Sequence, residues 1–316
     1  MRRIAILMFI SIAILAACGK SEDGSGTGHG GHGTEETNAG HGAEGTHGAD
    51  DAKTGHQAEE AKTGNGADGK NAGHGNHTER TQSPADEHKV HAVWKLSASS
   101  PKPQEELTLT IELRDHEEKA IEQFDINHEK KMHLIVVSED LSYFDHIHPE
   151  YKEAGTFEVT TKLPAAGKYK VIADFIPTGM GSMTQTEWIT VAGEAPQQKA
   201  MEPESELTKV VNGKEIALNI DHLMAGMDAN LSFHIRRADD QTPVSDLEPY
   251  LGAVGHVVIL SADTEQYLHV HPTDERATGP EANFATSFPK SGVYKIWGQF
   301  QHQGEVFVVP FVVEVP

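Results

Sequence analysis

Cysteine is almost missing from this chain: one residue, Cys18, in 316. An intramolecular disulfide is therefore excluded. Past residue 18 there is no thiolate nucleophile, no iron–sulfur ligand and no blue-copper site, because each needs a cysteine sulfur. Any metal there must be held by His, Met, Asp or Glu. Basic residues are also scarce, 26 Lys and Arg against 48 Asp and Glu, for a formal charge of −22. That balance excludes nucleic acid as a partner, since binding phosphate needs clustered positive charge. It draws cations only in a general way. The apolar run at the start, Ile4–Leu15, is shorter than the roughly 20 residues that cross a bilayer, and no later segment is long enough. Long amphipathic helical patterns are missing as well.

What is present at the N terminus has the form of an export signal. Arg2 and Arg3 precede the short apolar run, and Leu15, Ala16, Ala17 and Cys18 follow it. These four residues resemble the lipobox of bacterial lipoproteins. The resemblance implies removal of residues 1–17, a diacylglycerol thioether on Cys18, and a lipid-anchored protein on the extracytoplasmic face of the cell membrane. The plainer alternative is an ordinary signal followed by an incidental cysteine.

Residues 18–87 contain almost no large apolar side chain. Such a stretch cannot offset the entropy of ordering and is expected to be a disordered tether. Gly-His pairs recur in it, at His29, His32, His41, His56 and His74, with His47 and His77 between. Imidazoles dispersed among carboxylates collect Zn²⁺, Cu²⁺ or Ni²⁺ weakly. The other reading is a polar spacer.

From residue 88 the texture becomes that of an all-β protein, with short Val-, Ile-, Thr-, Phe- and Tyr-rich runs between turn residues. Strands are expected at Val90–Leu96, Glu106–Leu113, Met132–Ser138, Thr156–Leu163, Lys168–Phe175 and Glu187–Val191. A second set is expected at Lys214–Ile220, Ala229–Arg236, His256–Ser261, Asn283–Phe288, Val293–Phe300 and Val306–Val315. The two sets match each other: Glu106–Asp115 pairs in pattern with Ala229–Asp239, and Lys168–Phe175 with Gly292–Phe300. A whole domain has been duplicated. The expected organisation is two tandem antiparallel β-sandwiches, 88–194 and 207–316, joined by a linker at 195–206.

The clearest match between the copies carries three histidines. His133 opens one very apolar strand and His256 opens its counterpart. Thirteen residues on, each copy has a His-x-His-Pro element, His146 and His148 in one, His269 and His271 in the other. In a strand, residues two apart share a face, so each pair points one way and a third imidazole can reach it from a neighbouring strand. Three imidazoles suit Zn²⁺, Cu²⁺ or Ni²⁺. Taken singly, each histidine is better read as a satisfied core-edge residue. The triplet kept in two diverged copies is what favours a metal site in each domain over a buried polar network. Weaker candidates are Met180 and Met183 in the first copy and Met224 and Met227 in the second, since thioethers suit Cu⁺. His128, Asp174, His222 and His302 are further candidates, each read first as a surface residue.

Leu107–Ile111, Asp115, Ala120–Ile121, His133–Val137, Gly155–Phe157 and Gly167–Lys170 together resemble a YtkA-like domain. The second copy resembles it more loosely through Pro243–Val244, His256–Val258 and Gly292–Tyr294. The resemblance implies an exported Ig-like sandwich and turns the metal toward copper, as Cu²⁺ or Cu⁺, with zinc as the alternative. The resulting expectation is a membrane-anchored metal-binding lipoprotein that sequesters, buffers or delivers ions. Metal ions and the membrane are its expected partners, and the sequence names no protein partner. The rival is a non-catalytic surface interaction module with structural histidines. An enzyme ranks last, because no general base stands at a telling spacing from the histidines.

Overall fold

The computed structural model describes residues 89–316, which fold as two β-sandwiches. The signal, Cys18 and the Gly-His-rich stretch lie outside the described residues. Every named element is a strand. In the first sandwich, β1 (Val90–Leu96), β2 (Glu106–Asp115), β6 (Thr156–Lys162) and β5 (Glu150–Tyr151) make one sheet, in that order. The facing sheet runs β4 (Phe144–Ile147), β3 (Met132–Ser138), β7 (Gly167–Phe175) and β8 (Met183–Val191). The second sandwich has β14 (Glu281–Ser287), β11 (Asp228–Arg237), β10 (Lys214–Asp221) and β9 (Thr208–Val211) in one sheet. Its other sheet runs β13 (Tyr267–Val270), β12 (His256–Ser261), β15 (Gly292–His302) and β16 (Glu305–Val315). All strand pairs are antiparallel.

Alternation builds the individual cores. Leu107, Leu109, Ile111 and Leu113 of β2 are buried, while the residues between them face outward. Ala229, Leu231, Phe233 and Ile235 of β11 do the same in the second copy.

β3 and β12 break that rule: Met132–Val137 and all of β12 are buried. An antiparallel sheet with one wet face gives alternation, so a strand buried on both sides needs a third layer. Met132, Leu134 and Val136 fill the first sandwich. On the opposite face Ile135, Val137, Leu141 and Ile172 pack against Val258, Leu260 and Trp297 of the second sandwich. The β3 and β12 sheets thus meet through their outer faces. Burying each such aliphatic side chain contributes roughly 1.5–3 kcal/mol. A shared apolar core thus joins the two domains, and the described residues lie in one compact unit.

The interface is reciprocal. Lys170 Nζ donates to the carbonyl oxygen of Thr264 at 2.7 Å, and Lys295 Nζ donates to that of Leu141, also at 2.7 Å. Lys170 pairs with Val137 in β3, and Lys295 with the equivalent Leu260 in β12. The same patch on each copy therefore grips the other, which is the pattern of a two-fold, isologous contact. The indole of Trp297 stacks on Phe144 with ring centres 4.7 Å apart.

Candidate metal centre

The register of the outer sheets decides where the histidines point. His133 shares a face with Ile135 and Val137, the face covered by the second sandwich. β4 pairs His146 with Ile135, so His146 is on that face too, and His148 follows two residues later. In the second copy His269 pairs with Val258, which shares its face with His256. The proline after each His-x-His ends pairing on this sheet. Glu150–Tyr151 then crosses to pair with β6, and Pro272 bridges to Phe284 of β14. Gly255 allows β12 its close approach to β15, since a Cβ there would lie 2.5 Å from the Phe300 ring and 2.6 Å from the Gln299 carbonyl oxygen.

His133, His146 and His148 each bring a ring nitrogen within 4.8 Å of the others, and so do His256, His269 and His271. His133, His146, His256 and His269 are between 0 and 8% exposed. His133 Nδ1 and His146 Nε2 are 2.9 Å apart; His256 Nδ1 and His269 Nε2 are 3.3 Å apart. With metal–nitrogen bonds of about 2.05 Å, those separations subtend angles of about 90° and 107° at one ion. Two imidazoles in each triad therefore already have ligand spacing, and the third stands further off.

The two triads are not separate sites. The rings of His133 and His269 are 4.9 Å apart and those of His146 and His269 5.8 Å. His128, from the first domain, lies 3.9 Å from His271 and 4.8 Å from His256, ring centre to ring centre. One histidine-lined region spans the domain interface. Each triad also takes a partner from the other domain. Gln299 Oε1 lies 3.2 Å from His146 Nδ1, and Asp174 Oδ2 lies 2.9 Å from His269 Nδ1. Asp174 also accepts from the hydroxyls of Tyr267 (3.1 Å) and Ser182 (3.3 Å).

Burial holds these imidazoles neutral. It is the largest cause of the lowered pKa of His133, and it drives His146, His256 and His269 well below the ordinary value with help from neighbouring imidazoles. His148 is pushed down to about 3 by burial and by His133. Burial pushes the Asp174 carboxyl up, against the pull of His133 and the Tyr267 hydroxyl. A neutral imidazole has one N–H and one lone pair. His133 Nε2–H donates to the carbonyl oxygen of Asn127 at 3.0 Å, so its Nδ1 carries the lone pair. When His146 donates from Nδ1 to Gln299 Oε1, its Nε2 lone pair faces that of His133; when it donates from Nε2, the two rings share a hydrogen bond. Facing lone pairs at 2.9 Å suit a shared cation. His148 Nε2 and His256 Nε2 are buried with no hydrogen-bond partner among the described residues. The orphaned His148 nitrogen costs about 1–3 kcal/mol, which a bound ion would offset, whereas an ion between His256 Nδ1 and His269 Nε2 leaves His256 Nε2 as it is.

The other candidates are placed differently. Met183 is buried in the first core and Met180 packs against it, so both have a packing role. Met224 and Met227 are exposed in the loop before β11. Asp174 and His302, expected at the surface, are 3% and 4% exposed. Asp174 is buried because the outer face of β7 is covered by the second domain. His302 is buried at the end of β15, with Nε2 3.1 Å from Asp246. His222 is exposed. The partner role of Gln299 escaped the sequence reading, although the match of β7 to β15 puts it in the place of Asp174.

Fold and site define a class: a tandem pair of Ig-like antiparallel sandwiches with one three-histidine group in each copy. Residues 86–193 and 209–316 each match the Domain of unknown function (DUF8832), and the chain belongs to this family as a tandem pair. No curated protein matches it by sequence. Among solved structures it is similar to a two-domain fibronectin type III segment of chicken tenascin, at 12% identity over 72% of this chain and 99% of that one, with a TM-score of 0.22. It is also similar to a Salmonella alpha-2-macroglobulin, at 11% identity over 72% of this chain, with a TM-score of 0.27. The Yersinia pseudotuberculosis adhesin InvE is similar at 8% identity over 72% of this chain, with a TM-score of 0.23. The chain spans 15% of the length of the macroglobulin and 60% of that of the adhesin. At these scores the likenesses carry no argument about function.

Proposed function

We propose that this protein binds copper or zinc outside the cytoplasm, tethered to the membrane by a lipid on Cys18, and that it sequesters, buffers or delivers the ion without catalysis. One observation carries the reading: in each domain three imidazoles converge, and burial favours the neutral form of His133, His146, His148, His256 and His269, which leaves each of them one lone pair for an ion. His133, His146 and His148 would hold one ion, and His256, His269 and His271 another. An all-imidazole donor set suits Cu²⁺ and Zn²⁺ alike. The YtkA-like resemblance turns the choice to copper, and the lipobox-like run supports the anchor. Asp174 has its carboxyl engaged by three hydrogen bonds, from His269, Tyr267 and Ser182, which suits a positioning role in a binding site.

The test is metal analysis after loading the protein with copper or zinc and desalting at neutral pH. About two tightly held equivalents are expected. A second reading, in which the histidines are structural, is favoured by the bonds of Gln299 and Asp174 across the interface, which join the domains without a metal. It predicts no tight equivalent in the same measurement.

A further inference from the structure

Asp174 and Gln299 occupy the same place in the two copies. Asp174 is opposite His133 across the β3–β7 ladder, and Gln299 is opposite His256 across the β12–β15 ladder. Each reaches over the interface to Nδ1 of the second histidine of the other triad. The two positions are equivalent in the duplicated fold, but one holds a carboxylate and the other an amide. We propose that this difference makes the two metal sites unequal, so that they load in order, the His256–His269–His271 site first and the His133–His146–His148 site second.

The proposal rests on the metal-binding reading and deepens it. A ligand imidazole that donates its distal N–H to a carboxylate is fixed in orientation and is a stronger base at the ligating nitrogen than one that donates to an amide. The Asp174 contact, at 2.9 Å, is also shorter than the Gln299 contact, at 3.2 Å. The second dication enters a neighbouring triad whose rings come within 4.9 Å of the first and meets its charge. Asp174 and Gln299 act through the histidines and are positioning residues. Each belongs to the domain that does not carry the site it positions, so the order of loading depends on the docked pair.

Titrating the full chain with Zn²⁺ against a competing chelator that keeps the Gly-His-rich stretch empty tests this. Two steps are expected, separated by about tenfold or more, the scale on which such outer partners act. His271→Ala should remove the tighter step and His148→Ala the weaker. Asp174→Asn keeps the side-chain shape and should weaken the first step by about 10–100-fold. Gln299→Glu, also isosteric, should tighten the second step until the two merge. It carries the test alone if Asp174→Asn does not fold, as judged by thermal melting. In the double variant the order should reverse, so that His148→Ala now removes the tighter step, which a merely structural role of either residue would not produce. Two equal steps in the unmodified chain, or an unchanged order in the double variant, would overturn ordered loading and leave the metal reading intact. No stoichiometric Zn²⁺ in the unmodified chain would overturn both.

Discussion

Asp174, on β7 of the first domain, accepts a hydrogen bond from His269 Nδ1, on β13 of the second, at 2.9 Å, with both side chains almost completely buried. A buried hydrogen bond is costly to lose from one side. Asp174→Ala removes the acceptor of a buried N–H and opens a void, so a loss of about 2–4 kcal/mol is expected in urea denaturation of the metal-free protein. Asp174→Asn, which retains an acceptor oxygen, should cost less.

The shared core makes the two sandwiches unfold together. A single transition is expected for the intact protein. Trp297, 3% exposed and stacked on Phe144, is the largest side chain in that core. Trp297→Ala should cost about 3–5 kcal/mol. It should also split the transition in two when fluorescence and circular dichroism are followed together. One unsplit transition in this variant would show that the interface does not couple the domains.

Acid should destabilise the metal-free protein. The folded-state pKa of His133, His146, His148, His256 and His269 is lowered, so below about pH 6.5 the unfolded chain binds protons that the folded chain does not. Stability then falls with pH, by up to about 1.4 kcal/mol per unit for each imidazole, until the folded-state value is reached, about 3 for His148. Metal release follows the same shift. From the sequence, affinity is expected to fall through about pH 6.5, the ordinary imidazole value. Burial moves that loss to lower pH, so metal should be retained at pH 5.5, as measured by equilibrium dialysis.

Changing His146 and His148 together to Ala would remove one equivalent and spare the other if the domains were independent. The 5.8 Å approach of the His146 and His269 rings, and the bond from His146 to Gln299, predict a further effect. The remaining equivalent should change affinity by several-fold in chelator competition. An untouched second equivalent would mean that the triads work alone.

Cys18→Ala should move the protein from the membrane fraction to the soluble fraction, and deleting residues 19–87 should leave the two-domain unit folded. Fractionation and thermal melting read these outcomes. Continued membrane association of the cysteine variant would contradict the anchor.

The sequence by itself determined the sandwiches and the composition of the triads. Period-two alternation specified β2 and β11, and the repeat aligned His133 with His256 and the two His-x-His-Pro elements with each other. Both β3 and β12 were placed with their observed bounds. Short edge elements are absent from the expected strands: Glu150–Tyr151 and Thr208–Val211 have two to four residues, too few to display a period, and Phe144–Ile147 and Tyr267–Val270 are anticipated only through the His-x-His pairs. The tertiary structure alone decided that the two sites adjoin. Alternation reports whether a face is buried, but not what buries it. The unbroken apolar runs Met132–Val137 and Val257–Leu260 signalled a covered outer face, yet either another domain or another chain would satisfy them. Only docking of the two outer sheets brings Asp174 to His269 and Gln299 to His146, contacts between residues 95 and 153 positions apart that no local pattern encodes.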